Sequence, residues 1–86
     1  MIEALIAWDA DDDPDGNVRH IADNNVTPEE VMEVLHNIES RRGTSRTSGL
    51  PMTMGHTSAG RPIAVVWEVI SERPLVIHPV TAFEPD

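Results

Sequence analysis

Apolar positions in the first half of the chain recur with a helical period, and those in the second half recur with the two-residue period of strands. The clearest helical stripe is Val31, Val34, Leu35 and Ile38, spaced i, i+3, i+4, i+7, with Glu29, Glu33, His36 and Asn37 left toward water. Ahead of it Thr27 is an N-cap, Pro28 takes the first helical position and Glu30 completes a capping box, while Val26 and Val31 stand at the two positions of a hydrophobic staple. These signals predict a helix over residues 28–39. Upstream, the short apolar run of residues 1–8 predicts a first strand, followed by an acidic loop. Asp13 as cap and Pro14 at the first position predict a helix to about Asp23 that buries Val18, Ile21 and Ala22 and stops at Asn24-Asn25.

Beyond residue 50 the pattern alternates. Met52, Met54 and His56 share one strand face, and Ser58-Ala59-Gly60 supplies a hairpin connection. Ile63, Val65, Trp67 and Val69 form one face of the next strand and Ala64, Val66, Glu68 and Ile70 the other, so this strand is expected at the centre of a sheet. Residues 71–74 turn the chain into a last strand, residues 75–82, where Pro79 requires an edge or a bulge. Residues 41–49, rich in Ser, Thr, Gly and Arg, read as either a mobile loop or a polar edge strand. The fold class expected is α+β, a single domain over residues 1–86 with two N-terminal helices packed on a small antiparallel β-sheet.

Composition narrows the function classes. Eighty-six residues support one small core. Without cysteine there is neither a disulfide framework nor a thiolate metal site. The N-terminus lacks a basic leader and no segment approaches a membrane span, so a soluble, cytoplasmic chain with no membrane partner is expected. Six arginines and no lysine oppose fifteen acidic residues, a formal charge of −9 that argues against binding DNA by itself. The charge is uneven: Asp9, Asp11, Asp12, Asp13 and Asp15 form an early block, whereas Arg41, Arg42, Arg46 and Arg61 lie in a stretch free of acids.

Candidate chemistry rests on histidine and arginine. His56 and His78 lie on predicted strands, so two imidazoles projecting from one sheet face could serve as general base and acid on a phosphodiester near neutral pH, with packing at the sheet margin the plainer alternative, while His20 on the first helix could face either way. His36, on the polar helix face, reads as solvated. His20, His56, His78 and Glu68 carry metal-binding atoms, but none of their spacings is that of a zinc site, and the acidic run 9–15 lacks the bidentate glutamate of a calcium loop. No metal and no cofactor is therefore expected. Arg41, Arg42, Arg46 and Arg61 could clamp phosphates or simply be solvated, and Trp67 reads as core.

Taken in order, Trp8-Asp9, Asn17-Val18-Arg19-His20, Val26-Thr27-Pro28-Glu29-Glu30-Val31, Gly55-His56-Thr57, Gly60-Arg61-Pro62-Ile63-Ala64-Val65-Val66-Trp67 and Val80-Thr81-Ala82 resemble the BrnT-like toxins of the RelE superfamily over nearly the whole chain. The resemblance implies a RelE-like fold and a metal-independent endoribonuclease that uses the RNA 2′-hydroxyl as nucleophile. It also implies a cognate antitoxin protein as partner and RNA as candidate substrate. Arg19 and His20 match the family's helical basic residue and histidine, and Arg61 the arginine after the hairpin glycine. The candidate site is then His20, His56 and His78 for catalysis with Arg19, Arg46 and Arg61 on the RNA. Where the family has an arginine after the alanine of the last strand, this chain has Phe83, which favours an alternative: a non-catalytic protein-interaction domain that keeps the fold.

Overall fold

The computed structural model describes residues 3–85. Its elements are β1 (Leu5–Ile6), α1 (Asn17–Ala22), α2 (Pro28–His36), β2 (Arg41–Thr44), β3 (Pro51–His56), β4 (Pro62–Glu72) and β5 (Leu75–Phe83). The sheet has five strands in the order β1-β5-β4-β3-β2. The fold is α+β as expected, with two corrections. The sheet is mixed, because β1 pairs with β5 in parallel, Leu5 beside Val76 and Ile6 beside Ile77. The helices are not N-terminal but lie between β1 and β2. The first strand is also shorter than residues 1–8, of which Met1 and Ile2 lie outside the described residues.

β4 is central, antiparallel to β3 and to β5. Ile63, Val65 and Trp67 on one of its faces join Ile77 and Ala82 of β5 and Ile21, Val26, Val31, Val34 and Leu35 of the helical half in one buried cluster. Both helices therefore cover the same sheet face. On the other face Ala64 and Val66 are buried between their strand neighbours, Met54 and Phe83 beside Ala64 and Met52 and Thr81 beside Val66. Thr53 points inward on β3, and its hydroxyl accepts the indole N–H of Trp67 at 3.0 Å. That bond satisfies the donor of a buried Trp that the sequence correctly assigns to the core.

The predicted start of α1 gives way to a turn. Gly16 N–H donates to Asp13 O at 3.1 Å with Pro14 second in the turn, and Asp15 N–H donates to the Asp13 carboxylate at 3.0 Å. Asp13 thus caps a turn rather than a helix, and α1 starts three residues past the predicted first position. Gly16 is needed there, because a Cβ would lie 2.8 Å from Cβ of Asp9. At the other end Asn25 adopts the left-handed conformation, φ 61°, and Val26 and Asn25 N–H donate to Ile21 and Ala22 O. This is the expected asparagine stop, in a Schellman-type pattern. Ile21 is buried and Val18 partly so, but Ala22 is exposed.

The capping box of α2 is complete: Glu30 N–H donates to Thr27 Oγ1 at 3.2 Å, and Thr27 N–H to Glu30 Oε1 at 3.1 Å. The helix ends at His36, three residues early. Asn37 leaves helical geometry and its side chain accepts Glu39 N–H at 2.9 Å, while the Ser40 hydroxyl donates to Val34 O at 2.6 Å. These side-chain bonds compete with another turn of helix. Ile38, the last position of the predicted stripe, is consequently outside the helix and 79 % exposed.

Of the two readings for residues 41–49 the edge strand holds for residues 41–44, as β2. Pro79 marks a bulge: the partner of Val66 is Thr81 and that of Trp67 is Pro79, which leaves Val80 over. β1 accompanies β5 only as far as Ile77. Past that point side chains from the helical half take its place, Asn17 Nδ2 donating to Pro79 O and Asn24 Nδ2 to Ala82 O, each at 3.0 Å. No helix among the described residues is long and apolar enough to cross a membrane.

Candidate functional site

Where β1 ends and the β5 bulge begins, a cleft of about 270 Å³ opens, lined by Asp9, Asp15, Asn17, His20, Glu68, His78 and Val80. Its scaffold is a reciprocal pair. Asp9 N–H donates to Asn17 Oδ1 at 2.9 Å and Asn17 N–H donates to Asp9 Oδ2 at 2.8 Å, while Asn17 Nδ2 also reaches Ala7 O at 3.1 Å. Asn17 is buried, and its amide is fully used in fastening α1 to the loop after β1 and to β5. Asp9 is thereby aimed at β5, where Oδ2 lies 3.2 Å from His78 Nε2. His78 Nδ1 faces Glu68 Oε1 of β4 at 3.3 Å, but off the line of a hydrogen bond, so this buried nitrogen has no hydrogen-bond partner among the described residues.

His78 is held between two carboxylates, Nε2 in hydrogen-bonding contact with Asp9 and Nδ1 only near Glu68. The Asp9 contact orients the ring. His20 reaches the same cleft from α1. Two of the three sequence-predicted histidines therefore line one cleft. His56 does not join them; it lines a separate depression with Glu33, His36, Asn37, Thr57 and Ser58, where the Glu33 carboxylate accepts Ser58 N–H at 2.6 Å.

The predicted phosphate ligands are dispersed. Arg19 is exposed on α1, and Arg46 is exposed in the turn after β2. Arg61 is engaged: Nη1 lies 3.1 Å from both Glu30 carboxylate oxygens and 2.6 Å from Asn25 O, and Nε lies 3.0 Å from Glu84 Oε2. Those contacts tie the β3–β4 hairpin to the start of α2, the interhelix turn and the segment after β5. Glu84, then Glu30, raises the guanidinium above its ordinary value. Glu30 is pushed up by partial burial, but Thr27 N–H and Arg61 outweigh this and leave it below the usual glutamate value. Among the described residues no group of three or more His, Asp or Glu side chains is arranged to hold a metal ion.

Asp9, Asn17 and Glu84 were not identifiable as partners from the sequence, because their contacts span 8 to 69 residues with no local signature. Glu30 was assigned to the capping box, and the same carboxylate also serves Arg61. Comparison of the chain with protein-family models, with curated proteins and with solved structures returned no match.

The carboxylate of Asp9 lies below the ordinary aspartate value, first because Asn17 N–H donates to it and then because of His78. With a depressed folded value, its contribution to stability is complete above the unfolded value of about 3.9 and is lost as pH falls through the folded one. Asp9→Asn should therefore flatten the acid limb of stability against pH, measured as urea midpoints between about pH 5 and pH 2. A limb unchanged in the variant would remove Asp9 from the linkage.

Proposed function

We propose that this chain is a non-catalytic protein-interaction domain on a RelE-like, BrnT-like scaffold, acting as a component of a cytoplasmic toxin–antitoxin-type pair. The observation that carries the reading is the engagement of Arg61 by Glu30, Glu84 and Asn25 O. Of the arginines matched to the family, this is the one at the hairpin, and its guanidinium serves as an internal clamp. The cleft that collects His20 and His78 is lined by Asp9, Asp15 and Glu68, so a phosphodiester entering it would meet three carboxylates and no arginine. With a net charge of −9, the overall field of the chain opposes an RNA substrate.

One observation favours a second reading, metal-independent RNA cleavage: His20 and His78 share a cleft, as a general acid and base would. A single comparison separates the two. Purified protein incubated with structured and single-stranded RNA between about pH 6 and 8, the range in which histidine titrates, is expected to leave the RNA intact. Co-expression with the product of the adjacent reading frame is expected to give a stable complex by size-exclusion chromatography. Cleavage that disappears in the His20→Ala, His78→Ala double variant, with its circular dichroism unchanged, would establish the ribonuclease. Absence of any complex with the neighbouring product would refute the interaction reading.

A further inference from the structure

We propose that the free edge of β2 is a docking edge that takes up an extended, carboxylate-bearing segment of a partner protein as an added strand, which rests on the protein-interaction reading above. Among the described residues β2 ends the strand order and has one neighbour, β3. Ser45 N–H donates to Leu50 O at 2.8 Å, continuing the register that pairs Gly43 with Met52 and Arg41 with Met54. In an antiparallel ladder hydrogen-bonded and non-bonded pairs alternate, so Arg41 and Gly43 spend their backbone groups on β3. Arg42 and Thr44 then direct N–H and C=O outward, a short ladder that a partner strand can complete.

Charge selects the partner. Arg41, Arg42 and Arg46 lie on or directly after this edge, and all three are exposed. Among the described residues the ion pairs are made by Arg61 and His78, so these three arginines are uncommitted to carboxylates. Arg42 is held in place by its stack over Trp67, 4.9 Å from the ring centre. The nearest counter-charge in sequence is Glu39, in the depression beside Arg41. Charges on an edge strand also blunt it against pairing with itself. The same arginines therefore repel a second copy, whose edge would set three arginines against three, and attract a strand bearing carboxylates. A nucleic acid could use the arginines and single N–H groups but would not match the strand spacing of the outward N–H and C=O ladder, and it would face the −9 field of the whole molecule.

The test uses end-capped alternating Val-Glu and Val-Lys hexapeptides, read by fluorescence anisotropy on the intact chain. The Val-Glu peptide is expected to bind, more weakly as salt rises, and the Val-Lys peptide at least about tenfold more weakly. Thr44→Pro removes one outward donor without touching the β2–β3 ladder and should weaken binding by about tenfold or more, with the thermal melt unchanged. If that variant does not fold, a Val-Glu peptide with methylated alternate backbone nitrogens tests the same ladder on the wild-type chain and should not bind. Equal binding of both peptides, indifference to Thr44→Pro or to backbone methylation, or no binding at millimolar peptide would each overturn the proposal. So would dimerisation through β2 relieved by Thr44→Pro, or single-strand oligonucleotide binding that needs the arginines but not Thr44. Complex formation with the neighbouring product that survives such a failure would leave the interaction reading standing, with the docking edge elsewhere.

Discussion

Leu35→Ala is expected to lower the free energy of unfolding by about 2–5 kcal/mol, whereas Ile38→Ala, three residues on, should change it by no more than about 0.5 kcal/mol. Leu35 is wholly buried in the cluster formed by both helices and β4, so truncation removes apolar contact and leaves a cavity beneath the sheet. Ile38 follows the helix and is mostly in water. A domain of this size has a total stability of about 5–15 kcal/mol at most, so the first variant should melt well below the wild type or fail to fold. Thermal melts by circular dichroism check both halves. Equal shifts in the two variants would mean that α2 runs on through residue 38 and buries the full stripe.

The contrast between those residues also marks where the sequence is legible. The start of α2 is determined by groups within five residues of one another, Val26, Thr27, Pro28, Glu30 and Val31, and every one is in the expected place. Its end depends on Asn37 and Ser40 offering hydrogen bonds that a hydrophobic period does not register. β4 is legible because it is apolar on both faces, a property intrinsic to a central strand. The parallel pairing of β1 is not, since it joins residues 71 positions apart and its two-residue length carries almost no pattern.

The candidate site divides in the same way. Histidines and arginines are chosen from the sequence for their chemistry, but their partners decide their roles. Arg61 appears as a phosphate ligand when only the hairpin glycine beside it is visible; in the fold it meets Glu30 and Glu84, 31 and 23 residues away. His78 stands on a strand as expected, yet the carboxylate that orients it comes from Asp9, 69 residues earlier. Asn17 drew attention only as part of a family-like run, although it holds the whole corner together.

Asn17 is for that reason the residue whose replacement should be most costly per atom removed. Its side chain accepts Asp9 N–H and donates to Ala7 O and Pro79 O inside a buried corner. Asn17→Ala strands these three backbone groups, each carrying a desolvation penalty of about 1–3 kcal/mol, so a net loss of about 3 kcal/mol or more is expected even if water enters to serve one of them. Asn17→Asp keeps the size and the acceptor toward Asp9 N–H. It removes both donors, however, and brings a carboxylate against two carbonyl oxygens and beside Asp9. At neutral pH this variant should be at least as unstable as the alanine. Because a protonated acid regains one donor, it should recover relative to wild type as pH falls toward about 5, where burial among acceptors holds its proton. Urea midpoints of the three proteins at pH 5 and pH 7.5 measure the difference. If Asn17→Asp matches the wild type at neutral pH, the amide is not the fastening between α1, the loop after β1 and β5.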